Sequence, residues 1–199
     1  MNIPADDLNK FRIILASGSP RRRQLLEELG LKFKVITRHY PETFPGHLRE
    51  AEIAEYLARE KAGLFKKYMR VNEIIITADT IVWCNNRVLG KPSGKDEAVE
   101  MIKILSGNTH EVITGVTILS PFKEKTFSDT TKVTFDSLTL EEILFYVENF
   151  KPYDKAGAYG IQDWIGLAAC SRIEGSYFNV VGLPVQKLYR ELQNFIKFH

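Results

Sequence analysis

Apolar positions along this chain change their spacing repeatedly, and each change marks an element. The run Ile13-Ile14-Leu15-Ala16 reads as a buried strand, and Leu25, Leu26 and Leu29 follow at helical spacing. Between them Ser19 is the natural N-cap, Pro20 fits the first helical position, and Gly30 fits just past the helix end. Residues 31–36 alternate as a half-buried strand, which the Pro- and Gly-containing stretch 40–46 breaks as a loop. A helix is expected from about residue 48 to 69, with an apolar stripe of Ile53, Leu57, Leu64, Phe65 and Tyr68 that Lys61 interrupts. Residues 73–78 are a β-branched central strand ending in Asp79-Thr80 before Ile81-Val82-Trp83 resumes, and Asn85-Asn86 predicts a tight turn back through Val88-Leu89. A third helix is expected over 96–105 with Ala98, Met101, Ile102 and Leu105 inward, closed by Gly107.

Strands over 111–119 and 126–135 read as an antiparallel hairpin, and Thr139 with Glu142 forms a capping box for a helix ending near Asn149. A glycine-rich loop over 155–162 follows, then an apolar strand over 167–173, a turn at 174–177, and an amphipathic terminal helix through Leu188, Leu192 and Ile196. Strands and helices alternate around one hairpin, so the pattern predicts an α/β fold with a twisted mixed sheet and flanking helices. No repeat, low-complexity run or linker divides residues 1–199, which read as a single domain.

Composition narrows the function classes. At 199 residues, 44% hydrophobic and 26% charged, the chain is an ordinary globular protein of one domain or two small lobes. A net charge of +2 gives no general attraction to nucleic acid or to an anionic membrane, so neither is expected as a partner and any anion site must be local. Cys84 and Cys170 make no disulfide framework and read as free thiols of a reducing compartment. Residues 1–7 have neither a basic nor an apolar targeting region, and no stretch approaches membrane-spanning length, which points to the cytoplasm.

Candidate chemistry begins at Ser17-Gly18-Ser19-Pro20-Arg21-Arg22-Arg23. A first helical turn normally carries acidic residues, and each cation there is disfavoured by roughly 0.3–1 kcal/mol. An anion at the free N–H groups would relieve that conflict, and helical geometry lets at most two guanidiniums converge, assigned to Arg21 and Arg22 with Arg23 solvated. A well-capped basic surface helix is the plainer reading of the same residues. Lys61 on an apolar face either snorkels to water or points into a cleft, and Asp79 between two apolar runs needs a cleft, a metal or a cation. There is no Walker loop, no dinucleotide fingerprint and no soft-metal spacing, so any metal is expected to be a hard ion held by oxygen.

Six collinear blocks then point to one family: residues 15–22, Thr77-Ala78-Asp79-Thr80, Gly90-Lys91-Pro92, residues 105–110, residues 154–162 and Val181-Gly182-Leu183-Pro184. Together they resemble the Maf family of nucleoside triphosphate pyrophosphatases, also called septum formation inhibitors. The Ala-Asp-Thr block and the block ending in Gln162 resemble the branch acting on dTTP and UTP rather than the branch acting on 7-methyl-GTP. The resemblance implies a fold like that of inosine triphosphatases, with two lobes around a central cleft, and release of pyrophosphate from a nucleoside triphosphate. The alternatives are the activity of the 7-methyl-GTP branch, or a nucleotide-binding regulator of septum formation and cell division with little turnover, and a homodimer stays open.

The resemblance further implies that Asp79 is the proton acceptor that activates water, and that Arg21, Thr80 and Gln162 set substrate preference. Ser17, Arg22, Lys61, Lys91 and Lys155 would contact phosphates. Glu42 and Asp79 would hold a divalent cation, Mg²⁺ in the first instance with Mn²⁺ or Co²⁺ as substitutes. Gln162 carries both a donor and an acceptor, which matches the edge of thymine or uracil. Two positions depart from the family pattern: Tyr40-Pro41 precedes Glu42 where an acidic residue is usual, and Asp163-Trp164 follows Gln162 where glycine is usual.

Overall fold

A computed structural model describes Leu8 and residues 10–197, so the reading of residues 1–7 lies outside the described residues. Strands β1 (Arg12–Leu15), β2 (Phe33–Val35), β3 (Glu73–Cys84), β4 (Arg87–Leu89), β5 (Thr109–Leu119), β6 (Glu124–Phe135) and β7 (Cys170–Glu174) form one sheet. Its order is β2-β1-β3-β5-β6-β7, with β4 paired to β3. β1 is parallel to β2 and β3, whereas β4 is antiparallel to β3 and β7 to β6, so the sheet is mixed as expected. Helices α1 (Pro20–Glu28), α2 (Glu50–Gly63), α3 (Lys95–Leu105), α4 (Leu140–Phe150), α5 (Trp164–Ala168), α6 (Tyr177–Val181) and α7 (Val185–Lys197) flank it. The chain divides into two compact units, the first Met1–Asp79, Thr114–Asp129 and Gly182–His199, the second Thr80–Ile113 and Thr130–Val181. The division falls inside β3, β5 and β6.

In the first unit, Ile14 and Ile75 from adjacent strands bury with Ala62, Phe65 and Leu119 in one apolar cluster. α1 forms as its punctuation dictates: the Ser19 hydroxyl accepts from the Arg22 N–H at 3.4 Å, Pro20 opens the helix, and Gly30 takes φ 80° beyond its end. α2 is shorter than the expected 48–69. It stops at Gly63, and the chain tightens to a 3₁₀ turn over Lys66–Tyr68 that keeps Phe65 buried and leaves Tyr68 64% exposed. The Arg38 guanidinium stacks 4.8 Å from both rings, which gives Tyr68 a partner outside the core. β3 is also one continuous strand rather than two runs parted at Asp79-Thr80. Neither glycine nor proline occurs within it, and a neighbouring ammonium described below meets the buried carboxylate. Where β5 crosses α2, Gly115 lets the strand touch helix backbone, since a Cβ there would overlap the Ala54 carbonyl. In α7 the buried face is Val185, Leu188, Leu192 and Phe195, with Ile196 at its margin.

In the second unit, Asn85 and Asn86 take φ 49° and 60°, the left-handed pair that a two-residue hairpin turn requires. α3 buries Ala98, Met101, Ile102 and Leu105 as its spacing predicts. Thr139 and Glu142 form the capping box of α4, with the Glu142 N–H donating to the threonine hydroxyl at 3.2 Å. The expected strand over 167–173 is only half correct: α5 occupies its first part and β7 begins at Cys170. A Cβ at Gly166 would overlap the Ile161 carbonyl, so the chain coils tightly there, and Leu167 lies 86% exposed instead of filling a strand face. His110 is 1% exposed, edge-on to Phe135 and Tyr159, with Nε2 2.8 Å from the Tyr159 hydroxyl. Cys84 and Cys170 are free, as the sequence suggests, and no helix among the described residues is long and apolar enough to cross a membrane.

Two outcomes follow from these packings. Gly115→Ala is expected to lower unfolding stability by about 2 kcal/mol, seen as a fall of roughly 4–8 °C in the thermal midpoint. Burial lowers the His110 pKa to about 4, and a second ring proton would put an N–H at Nδ1, for which the described residues offer no acceptor. The unfolded chain takes up that proton near pH 6.5, so this stability is complete above pH 6.5 and is lost as pH falls towards 4, by about 3 kcal/mol. Denaturant titrations across pH 4–7 on the natural chain and on His110→Asn isolate it as the part of the slope that the substitution removes.

Candidate active site

The first unit brings six of the residues singled out in the sequence into one group. Lys61, in the last turn of α2, extends its ammonium to the Asp79 carboxylate in β3 and to Glu42 Oε1 at 3.1 Å. Asp79 is 6% exposed, so its charge is met by a cation rather than by water. Lys61 therefore neither snorkels to solvent nor stays unpaired; its side chain is 17% exposed and aimed at two carboxylates. Glu42 belongs to the loop with the unusual Tyr40-Pro41, yet it reaches the same ammonium as Asp79. Partial burial, with Tyr56 and Glu60 of α2 nearby, raises the Tyr40 hydroxyl pKa, which sets this loop beside the helix that carries Lys61.

Arg22 is the second cation of the group. Its Nε donates to the Gly182 carbonyl at 2.8 Å, and one terminal nitrogen donates to the Ala78 carbonyl at 2.8 Å and the Ser17 hydroxyl at 3.3 Å. Burial lowers the Arg22 pKa, the Asp79 carboxylate opposes that, Arg21 adds to it, and Glu42 opposes it again. The guanidinium stays charged throughout. Ser17 also accepts from the Ser19 N–H at 3.3 Å, which folds the tight loop onto the helix start. Arg23 is solvated as the helical geometry predicts, pairing with Glu27 one turn on at 2.8 Å.

Four further positions lie in the second unit. Thr80 follows Asp79 along β3 and is half-buried, Lys91 and Gln162 are exposed, and Lys155 has a side chain 15% exposed. The Gly157 N–H donates to the Gly90 carbonyl at 3.0 Å, which holds the Lys155 loop beside the Gly90-Lys91 turn. Gly157, at φ 67°, would place a Cβ 2.9 Å from Val82 Cγ2, so only glycine permits that approach. Lys155 Nζ lies 2.8 Å from Asp154 Oδ1 and 3.9 Å from Asp163 Oδ2. Gln162 occupies a β-turn closed by the Asp163 N–H and the Gly160 carbonyl at 3.0 Å. Tyr159 packs with His110 and Phe135, as expected of a core ring, while Tyr153 and Tyr177 are 36% and 42% exposed.

One participant, Tyr146, was not singled out in the sequence. Tyr146 lies on the buried face of α4, and its hydroxyl donates to Asp163 Oδ2 at 2.8 Å and accepts from the Gly160 N–H at 3.1 Å. A tyrosine among buried apolar positions was the available signal, because a buried phenol needs a partner. Its pKa is raised well above the usual range, chiefly by burial, so it remains a donor. Trp164 in turn sets its ring 5.1 Å from Phe145 on the same helix.

The donor chemistry fits a hard divalent ion. Glu42 and Asp79 already converge on one positive charge through carboxylate oxygens, the ligand type that Mg²⁺ takes. No group of three or more His, Cys, Asp and Glu side chains able to hold a metal occurs among the described residues, so an ion here would need oxygens from elsewhere to complete its shell.

Comparison with known proteins places the chain in a family. The family model described as Maf-like protein matches residues 12–195. A dTTP/UTP pyrophosphatase of Phocaeicola vulgatus is 51% identical over 94% of this chain and 98% of its own length. One of Bacteroides thetaiotaomicron is 49% identical over 94% of this chain and 97% of its own length. A solved nucleoside-triphosphatase, dITP/XTP pyrophosphatase, of Mycobacterium abscessus covers 92% of this chain and 94% of its own, at 10% identity and a TM-score of 0.41. With the collinear motifs and a family match across nearly its whole length, the chain belongs to the Maf family.

Proposed function

We propose that this chain hydrolyses dTTP and UTP to the nucleoside monophosphate and pyrophosphate in the cytoplasm, as the names of its relatives suggest. The observation that carries the reading is the group in which Lys61 bridges the carboxylates of Asp79 and Glu42 beside the half-buried guanidinium of Arg22. Cleavage at the α-phosphoryl group forms a bond from water oxygen to the α-phosphorus and breaks the bond to the oxygen bridging the β-phosphorus. Pyrophosphate leaves, and the water must give up a proton. Asp79 is assigned as acceptor: Lys61 engages Oδ1, which leaves Oδ2 for the proton. Arg21, Arg22, Lys61, Lys91 and Lys155 are assigned to the phosphates with the Ser17 hydroxyl, arginine by paired N–H groups and lysine as a point charge.

Glu42 and Asp79 would hold the divalent ion, Mg²⁺ in the first instance. When bound, such an ion supplies charge stabilisation at the phosphoryl oxygens. Arg21, Thr80 and Gln162 are assigned to substrate choice. The Gln162 carboxamide offers a donor to a ring carbonyl and an acceptor to the ring N–H, the sequence that thymine and uracil present.

The test is a panel of dTTP, UTP, CTP and purine triphosphates with Mg²⁺ and identification of the released anion. Pyrophosphate is expected with dTTP and UTP, and Asp79→Asn is expected to lose about 10²–10⁴ in kcat. Release of orthophosphate, a preference for purines, or an unimpaired Asp79→Asn would each overturn the reading. Removal of divalent ions with a chelator should reduce turnover to background. In Glu42→Gln the Mg²⁺ concentration giving half-maximal activity should rise by about tenfold, because one anionic ligand becomes neutral.

A further inference from the structure

The Tyr146 hydroxyl grips both ends of one turn. The turn runs from Gly160 to Asp163, with Ile161 buried and Gln162 exposed as its central residues. At its first residue the Gly160 N–H donates to the Tyr146 oxygen at 3.1 Å, and at its last residue Asp163 Oδ2 accepts the tyrosine proton at 2.8 Å. Tyr146 itself is fully buried and stacks on Phe150, 5.2 Å between centroids, so its oxygen is a fixed point on α4. Gly160 is confined by the same partners, since a Cβ there would lie 2.6 Å from Asp163 Oδ2 and 3.0 Å from the Lys155 stem. Next to Asp163, the Asp163 carbonyl accepts the Gly166 N–H at 3.0 Å, and Trp164 packs edge-on against Phe145. Asp163-Trp164 is one of the two places at which the chain departs from the family pattern, and both side chains dock on consecutive residues of α4.

We propose that Tyr146, with Asp163, is the positioning residue that fixes the turn presenting Gln162 and thereby sets the discrimination among nucleotide bases. The inference rests on the assignment of Gln162 to substrate choice made above. A side chain that reads a base edge must hold its amide within a few tenths of an ångström, and an exposed turn residue gains that rigidity only from its backbone. One phenol oxygen with a donor on one side and an acceptor on the other supplies it at two points three residues apart. The Asp163 carboxylate also lies near Lys155, so the same clasp places a cation assigned to phosphate.

Steady-state kinetics on dTTP, UTP and CTP with the natural chain, Tyr146→Phe, Asp163→Ala, Asp163→Asn and the double variant Tyr146→Phe/Asp163→Ala test it. Tyr146→Phe is nearly isosteric, and its thermal midpoint reports whether it folds. Expected are a rise of about tenfold in KM for dTTP and UTP with kcat within about twofold, and a matching loss of preference over CTP, the pattern of lost ground-state orientation. Asp163→Asn keeps an oxygen acceptor for the phenol and should retain most of the preference, whereas Asp163→Ala should not. The double variant should be no worse than either single one, because both remove the same clasp. A folded Tyr146→Phe with natural preference and KM would overturn the inference while leaving the function standing, and so would an equal loss of kcat on all three nucleotides. If the natural chain turns over neither dTTP nor UTP, the functional reading falls and takes this inference with it.

Discussion

A carboxylate in the middle of a buried strand is the constraint around which the first unit is arranged. β3 carries apolar side chains on either side of Asp79, and an uncompensated charge there would cost several kcal/mol. The compensation comes from the last turn of α2, and it fixes that helix: Lys61 must fall at the height of Asp79, and the helix ends two residues later at Gly63. Once the ammonium is there, Glu42 can join it, so a loop of little regular structure acquires a defined place. The interaction that satisfies the strand is thus also the one that brings Glu42 and Asp79 to a single ammonium.

The arginines of α1 divide their labour by angle around the helix. Arg23 faces water and pairs locally, whereas Arg22 turns inward and spends three hydrogen bonds on two backbone carbonyls and a hydroxyl. Carbonyl oxygens are strong acceptors, and a guanidinium with five donors in a plane suits several at once. The unfavourable placement of cation at a helix N-terminus is therefore offset partly within the fold, before any ligand is considered.

Local rules were legible in the sequence wherever a residue acts through its own backbone. Ser19 and Pro20 opened α1, Asn85-Asn86 made the hairpin, and Thr139 with Glu142 capped α4, because caps and turns depend on neighbours within four residues. What failed depended on partners elsewhere. The break at Asp79 was expected because the sequence does not show that Lys61 will meet it, and the strand over 167–173 was expected because a close approach of Gly166 to the Ile161 carbonyl leaves no periodic trace. Asp79 stood in a family block, Glu42 and Lys61 were named only through the resemblance as a whole, and their convergence is a matter of folding alone. Tyr146 was missed because a tyrosine on an apolar stripe looks like any other core ring until its hydroxyl is followed to Gly160 and Asp163.

The bonds of Arg22 join points far apart along the chain, 160 residues to Gly182 and 56 to Ala78. A ribosome delivers these partners in order. The arginine and its capped helix emerge early, the Ala78 carbonyl comes after α2, and the Gly182 carbonyl arrives only with the approach to the terminal helix. During synthesis the guanidinium must therefore remain hydrated or find transient partners until residue 182 is made, and the completed cage ties the first segment of the first unit to the start of its last.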